Sequence, residues 1–377
     1  MKTRSQTDPG VPQPLVAECA LRQKLPVILL ILLLLVAGLR CVQLLHPGIA
    51  TGDEALVALR SLGLLEHGHG WTPYWNGAPD VHKPPLYFWL VAAGYKIFGV
   101  GEIAIRLPSM ASFLCVLALT YVLGRRVFDP WTGLVAALFA ALHPTLATQS
   151  CVGMLDSTMI ALSLGAAWFL LRAEKRPRDF LWWGLCCGLA LLTKGMGAVP
   201  IFLASLLFLL AVRRQAFAVP HLYAGLFLAA VVSGAWFGSQ FAMHYDIFLK
   251  PYYSDIVDYR LKHSWRDTAL FLKSLRYLWA SWGGLAPLLF GAPLLAWFGE
   301  PRLRRNGGPA TEGWREAVLI ALVGLVPLAM VSLVRQQMPW YMLPAVVPMS
   351  LFAARIAVGL MQGRYPLALR ILPCLLL

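Results

Sequence analysis

The residues able to do chemistry gather between Thr51 and Pro108, the longest patterned polar interruption in an otherwise apolar chain. The stretch opens on adjacent acids, Asp53 and Glu54. It turns through Trp71, Pro73, Asn76, Gly77 and Pro79, then delivers Lys83 ahead of Pro84-Pro85. A further acid, Asp156, sits in a later interruption beside Met154 and Leu155. Charges next to a bilayer are costly and mark a functional site by default. Transfer of a sugar to a hydroxyl needs a carboxylate to take the acceptor proton as the bond forms. Asp53 is the candidate for that proton and Glu54 is its catalytic neighbour; Asp156 orients acceptor or sugar. An ammonium at Lys83 would neutralise a departing phosphate, and phosphate clamping commonly uses several cations. Arg60, Lys194 and Arg335 are the further cations that could join it.

Each residue also has a plainer reading. Asp53 stands where an N-cap belongs, ahead of the helical pattern Ala55, Leu59, Leu62, and Asp156 precedes Ser157-Thr158 at the head of an apolar run. Lys83 is restricted by the two prolines after it, which start a helix. Arg60 and Arg335, each taken alone, read rather as cations snorkelling to lipid head groups. Lys194, in ALLTKGMGAVP, is either a phosphate contact at a helix end or a topology anchor, and its glycines imply close backbone approach. Glu66 with His67, Gly68 and His69 reads as a plain turn, because no further ligand follows at set spacing. No metal or cofactor is called for. Trp71, Tyr74 and Trp75 suit either sugar stacking or an interfacial aromatic belt.

These groups need elements to hold them, and composition says which. Of 377 residues, 59% are hydrophobic and 13% charged, against about 25% charged in soluble domains; mean hydropathy is +0.66. The expected fold class is all-α, a polytopic transmembrane helical bundle. Spans of roughly 20 residues give about eleven candidates. The net charge of +14 lies mostly in short loops, as topology signals and membrane-lipid contacts, and no basic soluble module suggests nucleic acid.

Parity between basic loops sets the topology. Residues 1–24 form a basic cytoplasmic tail, and 25–377 form the membrane domain. Leu25–Leu45 is a retained first span, so Asp53 emerges outside in a loop spanning 46–106. Arg125-Arg126 must face in, so only one of Pro85–Gly99 and Leu107–Leu123 can cross. The first is short and carries Tyr95 and Lys96, which suits an interfacial helix. Trp131–Leu146 then runs outward, placing Asp156 on the same face as Asp53. Alternation continues through 157–171, 180–193, 198–212, 222–241, 278–298, 317–334 and 341–360. The last run, Leu367–Leu377, is too short to span and is expected to be an incomplete helix. A second outer loop, 244–276, carries Lys250, Arg260, Lys262, Arg266 and Lys273 among aromatics. It reads either as an anionic head-group or phosphate contact or as an amphipathic interfacial helix. The seven cysteines lack metal spacing and read as small apolar residues, with a Cys41–Cys151 bridge as the one conceivable pairing.

Several motifs resemble one family in order and spacing. They are Asp53-Glu54, W-x-P-x-x-N-G at 71–77, KPPL at 83–86 with Trp89, FG at 98–99, and E-x-x-x-RLPS at 102–109. MLDS at 154–157, LTKG at 192–195 and PWYMLPAVVP at 339–348 continue the series. The chain is similar to bacterial GT-C glycosyltransferases, the family of the lipid A aminoarabinose transferases and relatives of the protein O-mannosyltransferases. That resemblance implies a sugar donor on a polyprenyl phosphate such as undecaprenyl phosphate. The acceptor would be lipid A, another glycan or protein. It implies a multi-pass protein of the bacterial inner membrane, with its active site facing the periplasm. Asp53, Asp156 and Lys83 match the family's central polar positions, and Tyr341 matches its late tyrosine, a phosphate or sugar contact. Departures are Ala55–Ala58 where an aromatic is common, His82 where an acid is common, and the lack of the later spans and soluble C-terminal domain of larger members. A transporter or flippase of lipid-linked substrates is the rival reading. Repeat symmetry and midplane broken helices would mark it, whereas the charges here gather on one face.

Overall fold

The computed structural model describes residues 14–67, 70–253, 272–277, 280, 313–334 and 337–362, with backbone alone for 14–25 and 250–253. Almost all of it is helix. A long α1 (Pro14–Val42) precedes α2 (Gly52–Glu66), and a small hairpin, β1 (Tyr74–Trp75) and β2 (Ala78–Pro79), leads into α3 (Leu86–Phe98). The bundle follows as α4 (Glu102–Val127), α5 (Pro130–Leu142), α6 (Pro144–Ser150), α7 (Asp156–Arg172), α8 (Asp179–Lys194) and α9 (Val199–Val212). α10 (Pro220–Met243) and α11 (Tyr245–Tyr253) come next, then α12 (Trp314–Ser332) and α13 (Leu343–Met361).

Among the described residues, six helical stretches are long and apolar enough to cross a membrane, one of them Asp179–Val212, 34 residues long. That stretch is not one span. Trp183 Nε1 donates to Ser205 Oγ at 3.1 Å, yet those residues would lie about 33 Å apart in a straight helix. Asp179 pairs with Arg172 and Arg213 reaches the Leu170 carbonyl, both at the end of α7, while Lys194 pairs with Asp156 at its start. α8 and α9 therefore run antiparallel and fold back at Gly195, whose φ of 56° favours glycine. Two spans were expected here, and two helices are found.

The same bookkeeping orders the remaining helices. Asp129 and Arg355 pair at one end, and Arg126 reaches the Leu171 carbonyl there. At the opposite end Cys151 meets Gln43, and Trp71 and Thr72 meet Ser239 and Gln240. Every expected span within the described residues is helical, and successive ones alternate in direction. The Trp131–Leu146 run differs in shape: α5 and α6 bend by 69° at His143. Proline at 144 removes a backbone donor there, and His143 Nδ1 accepts from Leu146 N as the cap of α6. Cys41 and Cys151 are both free thiols, so the bridge does not form. The 278–298 span and the Leu367–Leu377 run lie outside the described residues, apart from residue 280.

Close helix approach relies on glycine. A Cβ on Gly184 would lie 2.0 Å from the Gly225 carbonyl oxygen, and one on Gly124 would lie 2.5 Å from the Gly133 Cα. These contacts bring α8 onto α10 and α4 onto α5, the small-residue packing that membrane helices use. α1 lies at the edge of the bundle: only 6% of its Pro26–Leu45 window is buried, with Leu29, Leu33 and Val36 against the core and Leu30, Leu34 and Leu35 exposed.

α3 has 13 residues, about 20 Å of helix against a hydrocarbon core of about 30 Å. Just beyond its C-terminus, Glu102 accepts from Gly48 N. Near its N-terminus, Trp89 donates to the Gly70 carbonyl. Both ends stay with the first loop, as expected of a helix that does not cross. Tyr87, Phe88 and Val91 are fully buried against α2 and α4, each contributing roughly 2 kcal/mol by area.

Candidate functional site

The site is built at the start of α2. Thr51, not Asp53, is the N-cap: its Oγ1 accepts from Glu54 N at 3.1 Å. The capping reading of Asp53 is thereby corrected, and Asp53 sits exposed in the first turn. The favourable end of the helix dipole meets its carboxylate there. Glu54 faces the other way and is fully buried. Its Oε1 accepts from Arg106 Nε at 2.7 Å and from Gly153 N at 2.9 Å; its Oε2 accepts from Ala50 N at 2.6 Å. Burial pushes this carboxyl up, but the Arg106 hydrogen bond, the two backbone amides and the Arg106 charge outweigh it and hold it below the usual range. With its oxygens committed, Glu54 joins α2, α4 and the short loop before α7 that carries Gly153.

Arg106, 1% exposed, also donates to the carbonyls of His46 (2.6 Å) and Gly48 (2.5 Å). One guanidinium thus fixes both Glu54 and the segment that leads into the acid pair. Behind it, the Tyr87 hydroxyl lies 2.5 Å from Ser109 Oγ, and Ser109 donates to the Met154 carbonyl at 2.7 Å. This network draws the loop carrying Asp156 onto the loop carrying Asp53. Gly153 has to be glycine, since a Cβ there would meet Ile105 Cγ2 at 2.3 Å.

Asp156 begins α7 without capping it: α7 has no side-chain cap. Instead its Oδ1 accepts from Lys194 Nζ, with side-chain exposures of 3% and 15%. The ammonium lies 5.1 Å from the Tyr341 ring centroid, within cation–π range. Three candidates from three distant segments therefore meet at one point. Gly197 makes room, since a Cβ there would touch Lys194 Cγ at 3.0 Å.

The lysine loop is seated beside them. Asn76 and Gly77 have φ of 50° and 76°, a type I′ turn that closes the hairpin. Gly63 lets α2 lie against it, because a Cβ would be 2.4 Å from the Tyr74 carbonyl oxygen. Trp71 Nε1 donates to Ser239 Oγ at 2.7 Å and Trp236 Nε1 to the Trp71 carbonyl at 3.1 Å. These indole contacts dock the turn on α10. Val81 packs with Leu192 and Trp236, which brings half-buried Lys83 toward the end of α8 that carries Lys194.

Arg60 is not an unengaged clamp. Its Nε donates to Asp80 Oδ2 at 2.7 Å, and Asp80 also accepts from His82 Nδ1 at 2.8 Å and His82 N at 3.1 Å. Burial raises the Asp80 carboxyl, but the His82 hydrogen bond and Arg60's charge bring it down to about 2. Arg335, His69 and residues 254–271 of the second outer loop lie outside the described residues. Sequence reasoning missed Asp80 and Arg106 as site-building residues. Arg106 lay in sight in the RLPS motif, where an arginine opening an apolar run demands a buried partner.

Residues 82–247 match the family model of dolichyl-phosphate-mannose-protein mannosyltransferases. The chain is 30% identical to the undecaprenyl phosphate-alpha-4-amino-4-deoxy-L-arabinose arabinosyl transferase of Pseudomonas paraeruginosa, over 90% of this chain and 61% of that protein. A Pseudomonas fluorescens protein of the same name is 28% identical, over 88% of this chain and 57% of its own length. The chain thus spans about three-fifths of these relatives. The crystal structure of ArnT from Cupriavidus metallidurans bound to undecaprenyl phosphate superposes with a TM-score of 0.73 at 20% identity, covering 89% of this chain and 60% of that one. The Archaeoglobus fulgidus oligosaccharyltransferase follows at 0.57 and 15%, covering 91% and 52%. The fold is that of these helical membrane enzymes, as the sequence implied. In sequence the chain is similar to these arabinosyl transferases along most of its length and to the mannosyltransferase family over residues 82–247.

Proposed function

We propose that this chain is an inverting glycosyltransferase that moves a sugar from a polyprenyl-phosphate donor to an acceptor at the periplasmic face of a bacterial inner membrane. One observation carries the reading. At one end of the bundle an exposed Asp53 faces solvent, while Asp156 is held against Lys194 over Tyr341, on a loop tied to Asp53's own by Glu54.

The donor phosphate is held by Lys83, Lys194 and Tyr341, with Arg335 as a further cation. Arg60 supports that charge from behind through Asp80. Asp53 accepts or orients the acceptor proton, and Asp156 orients sugar or acceptor. Glu54 positions Asp53 and does not meet substrate, because its oxygens are already filled. The acceptor oxygen attacks the anomeric carbon, and the bond to phosphate breaks with its electron pair going to the leaving lipid phosphate. If the acceptor is itself an anionic phosphate, no strong base is needed and Asp53 only positions it. The acceptor class is lipid A, another glycan or protein. The transport reading is set aside, since the matched relatives are transferases by name.

Asp53→Ala and Asp156→Ala should each abolish glycosylation in membranes while the protein remains inserted and folded. Full glycosylation by both variants would remove Asp53 and Asp156 from the reacting site.

A further inference from the structure

Beside Lys83 the structure holds a second acid–base arrangement. Asp80 is 5% exposed, and its Oδ1 lies 2.8 Å from His82 Nδ1 and 3.1 Å from His82 N. Its Oδ2 is taken by Arg60 at 2.7 Å. An ionised carboxylate can only accept, so His82 Nδ1 must be the donor. That choice of tautomer leaves the lone pair on Nε2 of a neutral ring. The His82 side chain is 50% exposed, and the backbone bond from its own amide to Asp80 locks the loop that carries it. The charged groups described around this ring are Asp80 in contact, Arg60 behind Asp80, and Lys83 next in the chain.

We propose that His82, oriented by Asp80, is the proton acceptor for a hydroxyl-bearing acceptor. The proposal rests on the glycosyltransferase reading and deepens it. The acceptor O–H gives its proton to Nε2 as its oxygen bonds to the anomeric carbon. The carbon–phosphate oxygen bond breaks toward lipid phosphate, whose charge Lys83 balances. The imidazolium then releases its proton to water through its exposed edge. Asp80 never leaves the carboxylate form, and Asp53 keeps the orienting role. An aspartate that fixes the tautomer of a half-exposed histidine is a recurrent way to make a base.

The test is kcat/KM against pH for the full chain in membranes, with polyprenyl-phosphate sugar and a hydroxyl acceptor. The native chain should show an ascending limb. His82→Gln should lose about 100-fold or more and the limb with it, whereas Asp53→Asn should be slower with the limb retained. His82→Ala should recover rate on adding imidazole, which requires a folded site. A folded His82→Gln or His82→Ala with native rate and native limb would overturn the proposal. No transfer by the native chain would instead overturn the glycosyltransferase reading itself.

Discussion

Lys194 donates to Asp156 with its ammonium 5.1 Å from the Tyr341 ring centroid, joining residues 38 positions apart in the chain. Both partners are largely buried, so removing one strands the other's charge at a cost of roughly 3–5 kcal/mol. Lys194→Gln and Asp156→Asn should each lower the melting temperature of the solubilised protein. The double variant should lose clearly less than the sum, as a double-mutant cycle reads it. Additive losses would mean that the pair is not coupled.

Thr51 and Asp53 separate capping from chemistry. Thr51→Ala removes the side chain that caps α2 and should cost about 1 kcal/mol, with transfer activity largely kept. Asp53→Asn leaves the cap intact and should keep the melting temperature while losing activity. The reverse pattern in thermal melts and transfer rates would restore Asp53 to a structural role.

Glu54 and Arg106 form the buried joint between the two loops. Arg106→Lys keeps the charge but cannot meet a carboxylate and two carbonyls at once, since lysine lacks the planar fork. It should destabilise almost as much as Arg106→Ala and expose the 46–54 segment to protease. Wild-type protease resistance in Arg106→Lys would show that charge alone suffices.

Acid should loosen the lysine loop. The Asp80 carboxyl is lowered from 3.8 to about 2, so its contribution is full above about pH 3.8 and is lost as pH falls toward 2. Loop opening, followed by limited proteolysis with an acid-active protease or by hydrogen exchange, should stay flat from neutral pH down to about 4 and then rise. Asp80→Asn should open more readily at neutral pH and show less of that rise. An unchanged acid limb in Asp80→Asn would place the titration elsewhere.

The helices and their directions were legible because each apolar run and each basic loop carries its own signal. The meeting of Asp156, Lys194 and Tyr341 was legible only as separate candidates, since pairing across 38 residues depends on helix packing and not on local pattern. The capping alternative for Asp53 fails because Thr51, two residues earlier, takes the Glu54 amide. Arg60 read as an available cation because its partner, Asp80, comes 20 positions later across a hairpin. The bend at His143 has a local cause in the proline after it, but an apolar run that continues past it hides the break.

The central claim is tested most directly by supplying extracted polyprenyl-phosphate sugars to membranes carrying the native chain, Asp53→Asn or Lys83→Ala. Lipid A and cell-envelope products would be read by mass spectrometry. The account predicts a sugar-sized mass gain with the native chain that falls sharply in both variants, which would identify donor and acceptor together. No gain from any donor with a folded, inserted native chain would contradict it.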